Sequence, residues 1–237
     1  MSLEETRKKI ISNNFQITNL LKENEDLLKT EGFNVPVKNY RVDDMERIQI
    51  PSGYIRTSAH FFAKYHLNEI VKDFQVRNNI SYSLQVSDFY NYLVNRFHIW
   101  GSVETVFFKN AIINHVSILE ALVFECANNI CSPDGCKKIN NCKRHFNKKQ
   151  RENSFKALKR LKEIGVVDYD DKKIARIKEI IDLRNRVHIR LAKENEFNSS
   201  DFCLSLYNEV VLLTQNLAED IYKNGVKLYY CGKGITR

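Results

Sequence analysis

Through most of the 237-residue chain, apolar residues return every three or four positions, the spacing of helices with one buried face. A first helix is predicted over 2–29, with Ile10, Ile17, Leu20, Leu21, Leu27 and Leu28 as its apolar positions and Gly32 ending it. From 33 to 53 the pattern breaks up around Pro36 and Pro51, leaving 35–37 and 47–50 as short extended pieces. A second helix is predicted from about 57 to 77 on Phe61, Phe62, Tyr65, Leu67, Ile70, Val71 and Phe74. Ser87-Asp88 reads as the N-cap of a third, carrying Phe89, Tyr92, Leu93, Val94 and Phe97.

Beyond a joint at Gly101-Ser102 the pattern strengthens. Val106, Phe107, Ala111, Ile112, Val116, Leu119, Leu122, Val123 and Phe124 predict a long helix over 103–129. Phe155, Leu158, Leu161 and Ile164 predict another over 151–165, closed by Gly165. A helix over 170–191 follows, capped within 168–171, with Ile174, Ile177, Ile180 or Ile181, and Val187 on its apolar side. After a polar loop at 195–200, Ser199-Ser200-Asp201 caps a last helix ending at Gly225, and the β-prone stretch 226–230 reads as a final strand or a tail. The expected fold is all-α: an antiparallel bundle over 101–237 behind a mainly helical N-terminal extension over 1–100.

Composition narrows the classes. With 43% hydrophobic and 28% charged residues, 8 Gly and 3 Pro, the chain reads as globular and helix-rich. Met1–Lys9 is too charged for a secretory signal. Asn114, His115, Ser117 and Glu120 interrupt the most apolar segment, so no membrane span is expected. The expected location is cytoplasmic, which makes the six cysteines thiols or metal ligands in preference to disulfides. The net charge of +8 permits an anionic partner.

Two local signals carry chemistry. Cys131, Cys136, Cys142 and His145 stand four, five and two residues apart around the turn Pro133-Asp134-Gly135, inside a loop at 126–145. Three cysteines and a histidine suffice for a tetrahedral structural zinc, with Cys126 as a rival ligand and no open position for catalysis. His60, His66 and His98 lie among aromatic residues and read as core or surface positions. The second signal is charge. Lys143, Arg144, Lys148, Lys149, Arg151, Lys159 and Arg160 belong to a stretch whose acids are only Glu152 and Glu163, and such a local excess attracts nucleic-acid phosphates.

The helix over 170–191 ends in Leu183-Arg184-Asn185-Arg186-Val187-His188-Ile189. Arg184 and His188 are i,i+4 neighbours, so both lie over one helix face, with Asn185 beside the arginine. This stretch resembles the end of the signature helix of the HEPN superfamily, where an Arg, usually followed by Asn, His or Asp, precedes a His. The spacing here is one residue short of the family's shortest, a shift of about 100° around a helix. Leu119-Glu120-Ala121-Leu122 resembles part of the first long helix of the same bundles.

The resemblance covers roughly 103–224. It implies a ribonuclease without a catalytic cofactor, used in toxin or phage-defence systems. His188 would move protons, Arg184 would hold the scissile phosphate, Asn185 would fix geometry and Glu120 would orient a base or a cation. It also implies RNA as substrate, a homodimer with a composite site, and an antitoxin or other regulatory protein as partner. Two other readings stay open: a non-catalytic bundle that binds RNA, a nucleotide or a protein, and a zinc-stapled interaction protein in which Arg184 caps a helix or pairs with Glu120.

Overall fold

A computed structural model describes residues 2–30, 55–131, 146–184 and 202–229. The chain is all-α, with nine α-helices among the described residues. They are α1 (Leu3–Thr30), α2 (Ser58–Lys64), α3 (Leu67–Ile70), α4 (Phe74–Arg96), α5 (Gly101–Ile130), α6 (Lys148–Arg151), α7 (Ser154–Glu163), α8 (Asp171–Arg184) and α9 (Leu204–Asp220). A π-helical turn (Ile221–Gly225) and a 3-10 turn (Val226–Leu228) follow.

The chain divides into two compact units, 1–50 and 51–237. In the first, α1 starts with a reciprocal cap. The Glu5 backbone N–H donates to Ser2 Oγ at 3.2 Å and the Ser2 N–H to Glu5 Oε2 at 2.6 Å. The division falls after Ile50, not at the expected joint near 101, because α4 packs along α5 and belongs with the bundle. The extended pieces expected at 35–37 and 47–50 lie outside the described residues.

In the larger unit α5 is the central element. Ile112, Val116, Leu119 and Val123 are fully buried, with α4 and α9 packed on it and α7 and α8 also against it. Length and composition alone would let α5 cross a membrane, a test that the buried core helix of a bundle also passes. α7 shows how periodicity builds the layer around it. Ala157, Leu158 and Leu161 are buried, whereas Lys156 and Lys159 are exposed. Gly165, at φ +78, ends it in a Schellman motif: Val166 N–H donates to Leu161 O at 2.9 Å and Gly165 N–H to Lys162 O at 3.0 Å. Asp170 Oδ1 accepts from the Lys173 N–H at 2.7 Å at the start of α8.

Several boundaries differ from the sequence expectation, each for a physical reason. The helix expected over 57–77 breaks at Tyr65-His66, where His66 takes a left-handed φ of 50°, and α4 restarts on Asp73, whose Oδ1 accepts the Val76 N–H at 3.0 Å. The turn lets Leu67, Ile70 and Val71 bury. Ser87 and Asp88 are not an N-cap but lie mid-helix and buried in α4, where distant side chains take their polar atoms. The helix expected over 151–165 splits after Arg151, since Asn153 caps α7 through the Lys156 N–H at 2.9 Å. No strand forms at the described end of the chain. Residues 226–228 make a 3-10 turn, and Tyr229 Oη donates to Ile70 O at 2.7 Å. Gly225 is closely packed: a Cβ there would stand 3.2 Å from Cys126 Sγ, so its neighbours would have to shift by a few tenths of an ångström.

Candidate functional site

The antiparallel run of α7 and α8 brings the first residue of one and the last described residue of the other to the same place on α5. That place is Glu120. Ser154 Oγ donates to Glu120 Oε1 at 2.7 Å, and Arg184 Nη1 donates to Glu120 Oε2. The Glu120 side chain is 11% exposed and that of Arg184 50% exposed, so a nearly buried carboxylate aims a guanidinium that is half in solvent. Charge-assisted bonds of this kind are short and directional. The arrangement can present a cation to a phosphate at the open end of the helix layer. Asn185 and His188 follow Arg184 in the chain and lie outside the described residues.

α6 immediately precedes Ser154 and therefore lies at this same end. Lys148 and Lys149 are exposed on it, and Arg151 closes it, although its side chain is not described. Part of the basic stretch is balanced locally: Lys148 stands 3.8 Å from Glu152, Arg160 2.7 Å from Glu163, and Lys162 2.7 Å from Asp171. The last pair crosses from α7 to α8, which a local count of charges does not register. Lys159 lies over the Phe155 ring at 4.8 Å, exposed to solvent. Lys143 and Arg144 lie outside the described residues.

Of the expected zinc ligands, Cys136, Cys142 and His145 also lie outside the described residues, and no group of three ligand-type side chains occurs among the described ones. Cys131 is disulfide-bonded, contrary to the expectation of thiols or metal ligands; its partner is outside the described residues. The clustering that suggested a metal also brings sulfurs within bonding reach of each other. Cys126, the rival ligand, is a free thiol enclosed by the core, and burial pushes its pKa up to about 12. A thiol so reluctant to ionise is a poor metal ligand.

On another side of α5 the structure assembles a cluster that sequence reasoning missed. Arg56 donates to Asp88 Oδ2 through Nε at 2.7 Å and through its backbone N–H at 2.9 Å, and to Oδ1 through Nη2. Next to Asp88, Ser87 Oγ is hydrogen-bonded to His115 Nε2 and, at 2.9 Å, to Tyr207 Oη. These residues line a cavity of about 170 Å³ between α2, α4, α5 and α9. His115 is 2% exposed, and burial lowers its pKa to about 4, so the ring is neutral near pH 7.

A serine beside a histidine invites a hydrolytic reading, but the third member is missing. A nucleophile's base needs an acceptor on its other nitrogen. His115 Nδ1 has no partner among the described residues, and Asp88 is occupied by Arg56. The cluster is a polar network inside the core. Its only trace in the sequence is polar residues at helical core spacing: Ser87 and Asp88 after Leu84, and His115 between Ile112 and Val116. No family model, curated protein or solved structure matches the chain.

Proposed function

We propose that the end of the bundle marked by Glu120, Ser154 and Arg184 cleaves RNA. One observation carries the reading: residues 64 apart in the chain, Glu120 and Arg184, meet where the exposed lysines of α6 also lie. Glu120 holds the guanidinium in place. Arg184 takes the scissile phosphate and stabilises the charge that grows on it. His188, four residues further along the sequence, removes the proton from the 2′-hydroxyl or returns one to the leaving oxygen, a task suited to an imidazole. Asn185 fixes the phosphate by hydrogen bonding. The product carries a 2′,3′-cyclic phosphate, and no catalytic cofactor takes part. In this reading two copies pair their signature helices into one composite site, in a cytoplasmic toxin or phage-defence setting held in check by a protein partner.

The test is cleavage of total and transfer RNA in EDTA by wild type, His188→Ala and Arg184→Ala, each first shown to be folded. Loss of His188 should lower the rate by about 100-fold or more. Equal cleavage by wild type and His188→Ala would remove the assignment. The Glu120–Arg184 pair also suits a second reading, an interaction protein in which the pair ties α5 to α8. That reading expects neither RNA binding nor cleavage, and co-purification with a protein partner.

Zinc enters only as a structural staple of the loop through Cys131, Cys136, Cys142 and His145. Because a ligand must be a thiolate, the disulfide at Cys131 and the metal exclude each other. Metal content should therefore depend on reductant. A reduced, chelator-free preparation without zinc would dismiss the staple.

A further inference from the structure

Helix α1 shows solvent the kind of surface that the bundle buries. Leu3 is 88% exposed, Ile10 53%, Ile17 51%, Leu20 59% and Leu27 58%. These residues form two rows repeating every seven positions: Leu3, Ile10, Ile17 and Asn24 in one, and Thr6, Asn13, Leu20 and Leu27 in the other. They are the two seam rows of a coiled coil. A 28-residue helix gains little stability from its backbone alone and depends on packing of its apolar face. No other described helix belongs to its unit.

The charges beside the seam say what covers it. Lys9 and Glu23 sit on the same flank, two repeats apart, and among the described residues neither makes an ion pair. Lys8, by contrast, pairs with Glu4 at 2.9 Å on the outer face. A parallel pair of α1 helices would gather Arg7 and Lys9 of both copies at one end. An antiparallel pair sets Lys9 against Glu23 of the partner subunit, twice by symmetry. The same register places Leu3 beside Leu27 of the partner subunit, Ile10 beside Leu20 of the partner subunit and Thr6 beside Asn24 of the partner subunit. Apolar then meets apolar at both ends and polar meets polar between, leaving Asn13 and Ile17 to share the centre. A face that complements itself in charge fits a second copy of the same helix.

We propose that α1 pairs with α1 of a second copy of this chain as an antiparallel two-stranded coiled coil. The proposal is independent of the RNA reading, whose dimer joins the signature helices. Sedimentation velocity on the full chain at low salt tests it. Wild type should self-associate, and Ile10→Asp/Ile17→Asp should do so at least about tenfold more weakly, with thermal unfolding of the larger unit unchanged. Lys9→Glu should weaken the dimer roughly tenfold through lost attraction and new repulsion, and Lys9→Glu/Glu23→Lys should restore it. Arg184→Ala should leave the mass unchanged. A monomeric wild type, or self-association equally strong in wild type and Ile10→Asp/Ile17→Asp, would overturn the pairing. Failure of the double charge reversal to restore it would overturn the antiparallel arrangement, and a monomeric Arg184→Ala would move the interface to α8.

Discussion

His115 and Glu120 are five residues apart on α5, which turns them about 140° from each other and sets them about 7 Å apart along the axis. The two sides they serve are built differently. On the His115 side, Asp88 is 7% exposed and held by three donors of Arg56, and Ser87, His115 and Tyr207 bond among themselves beside a small cavity. On the Glu120 side, the carboxylate has one hydroxyl and one guanidinium, and the guanidinium reaches into solvent. A closed network spends its donors on itself and stabilises the core. An open one leaves donors without a protein partner. Both arginines reach solvent, Arg56 at 40% and Arg184 at 50% exposure, so what separates the two sides is how fully the arginine is committed to its carboxylate: three donors of Arg56 on Asp88, one of Arg184 on Glu120.

The contrast can be broken by experiment, most strongly through pH. Burial holds His115 at about 4 against an ordinary value of 6.5, so its contribution to stability is complete above about pH 6.5. That contribution falls as pH drops from there towards 4, because the unfolded chain takes up the proton first, for a loss of about 3 kcal/mol. Asp88 raises and Lys64 lowers the value, both more weakly than burial. Urea unfolding across this range should show the slope in wild type and lose it in His115→Gln; an unchanged slope in the variant would place the effect elsewhere.

Next in size is Arg56→Ala, which strips the buried Asp88 carboxylate of its two guanidinium donors and leaves it only the backbone N–H at position 56. The expected cost is about 2 kcal/mol, below that of a fully buried pair because the Arg56 side chain is 40% exposed. Glu120→Ala should cost less, about 1 kcal/mol, since Arg184 can turn to water and only Ser154 loses a partner. Equal losses in the two variants, measured in the same denaturant series, would erase the distinction between a closed and an open side. If the Glu120 side cleaves RNA as proposed, activity should order them the other way, with Glu120→Ala impairing RNA turnover and Arg56→Ala sparing it at temperatures where both are folded.

Much of the architecture was legible because helix formation is a local matter. The apolar spacing of Ile112, Val116, Leu119 and Val123, of Leu158 and Leu161, and of Ile174, Ile177 and Ile181 identified α5, α7 and α8 directly. The stop at Gly165 was readable for the same reason: a glycine after an apolar repeat suits a left-handed cap. Reading Ser87-Asp88 as a cap failed because two polar residues before an apolar run look alike at a helix start and inside a helix. The break at Tyr65-His66 was equally hidden, since nothing local sets a histidine at positive φ.

The sequence by itself therefore determined the helical class and the core-facing stripes. Tertiary structure alone decided which polar residues meet. Arg56 finds Asp88 across 32 positions, Glu120 finds Arg184 across 64, and Ser87 finds Tyr207 across 120. The physical reason is range. Periodicity and capping act within about one turn of helix. The partner of a buried charge is chosen by how helices pack, and by the cost of leaving that charge without one.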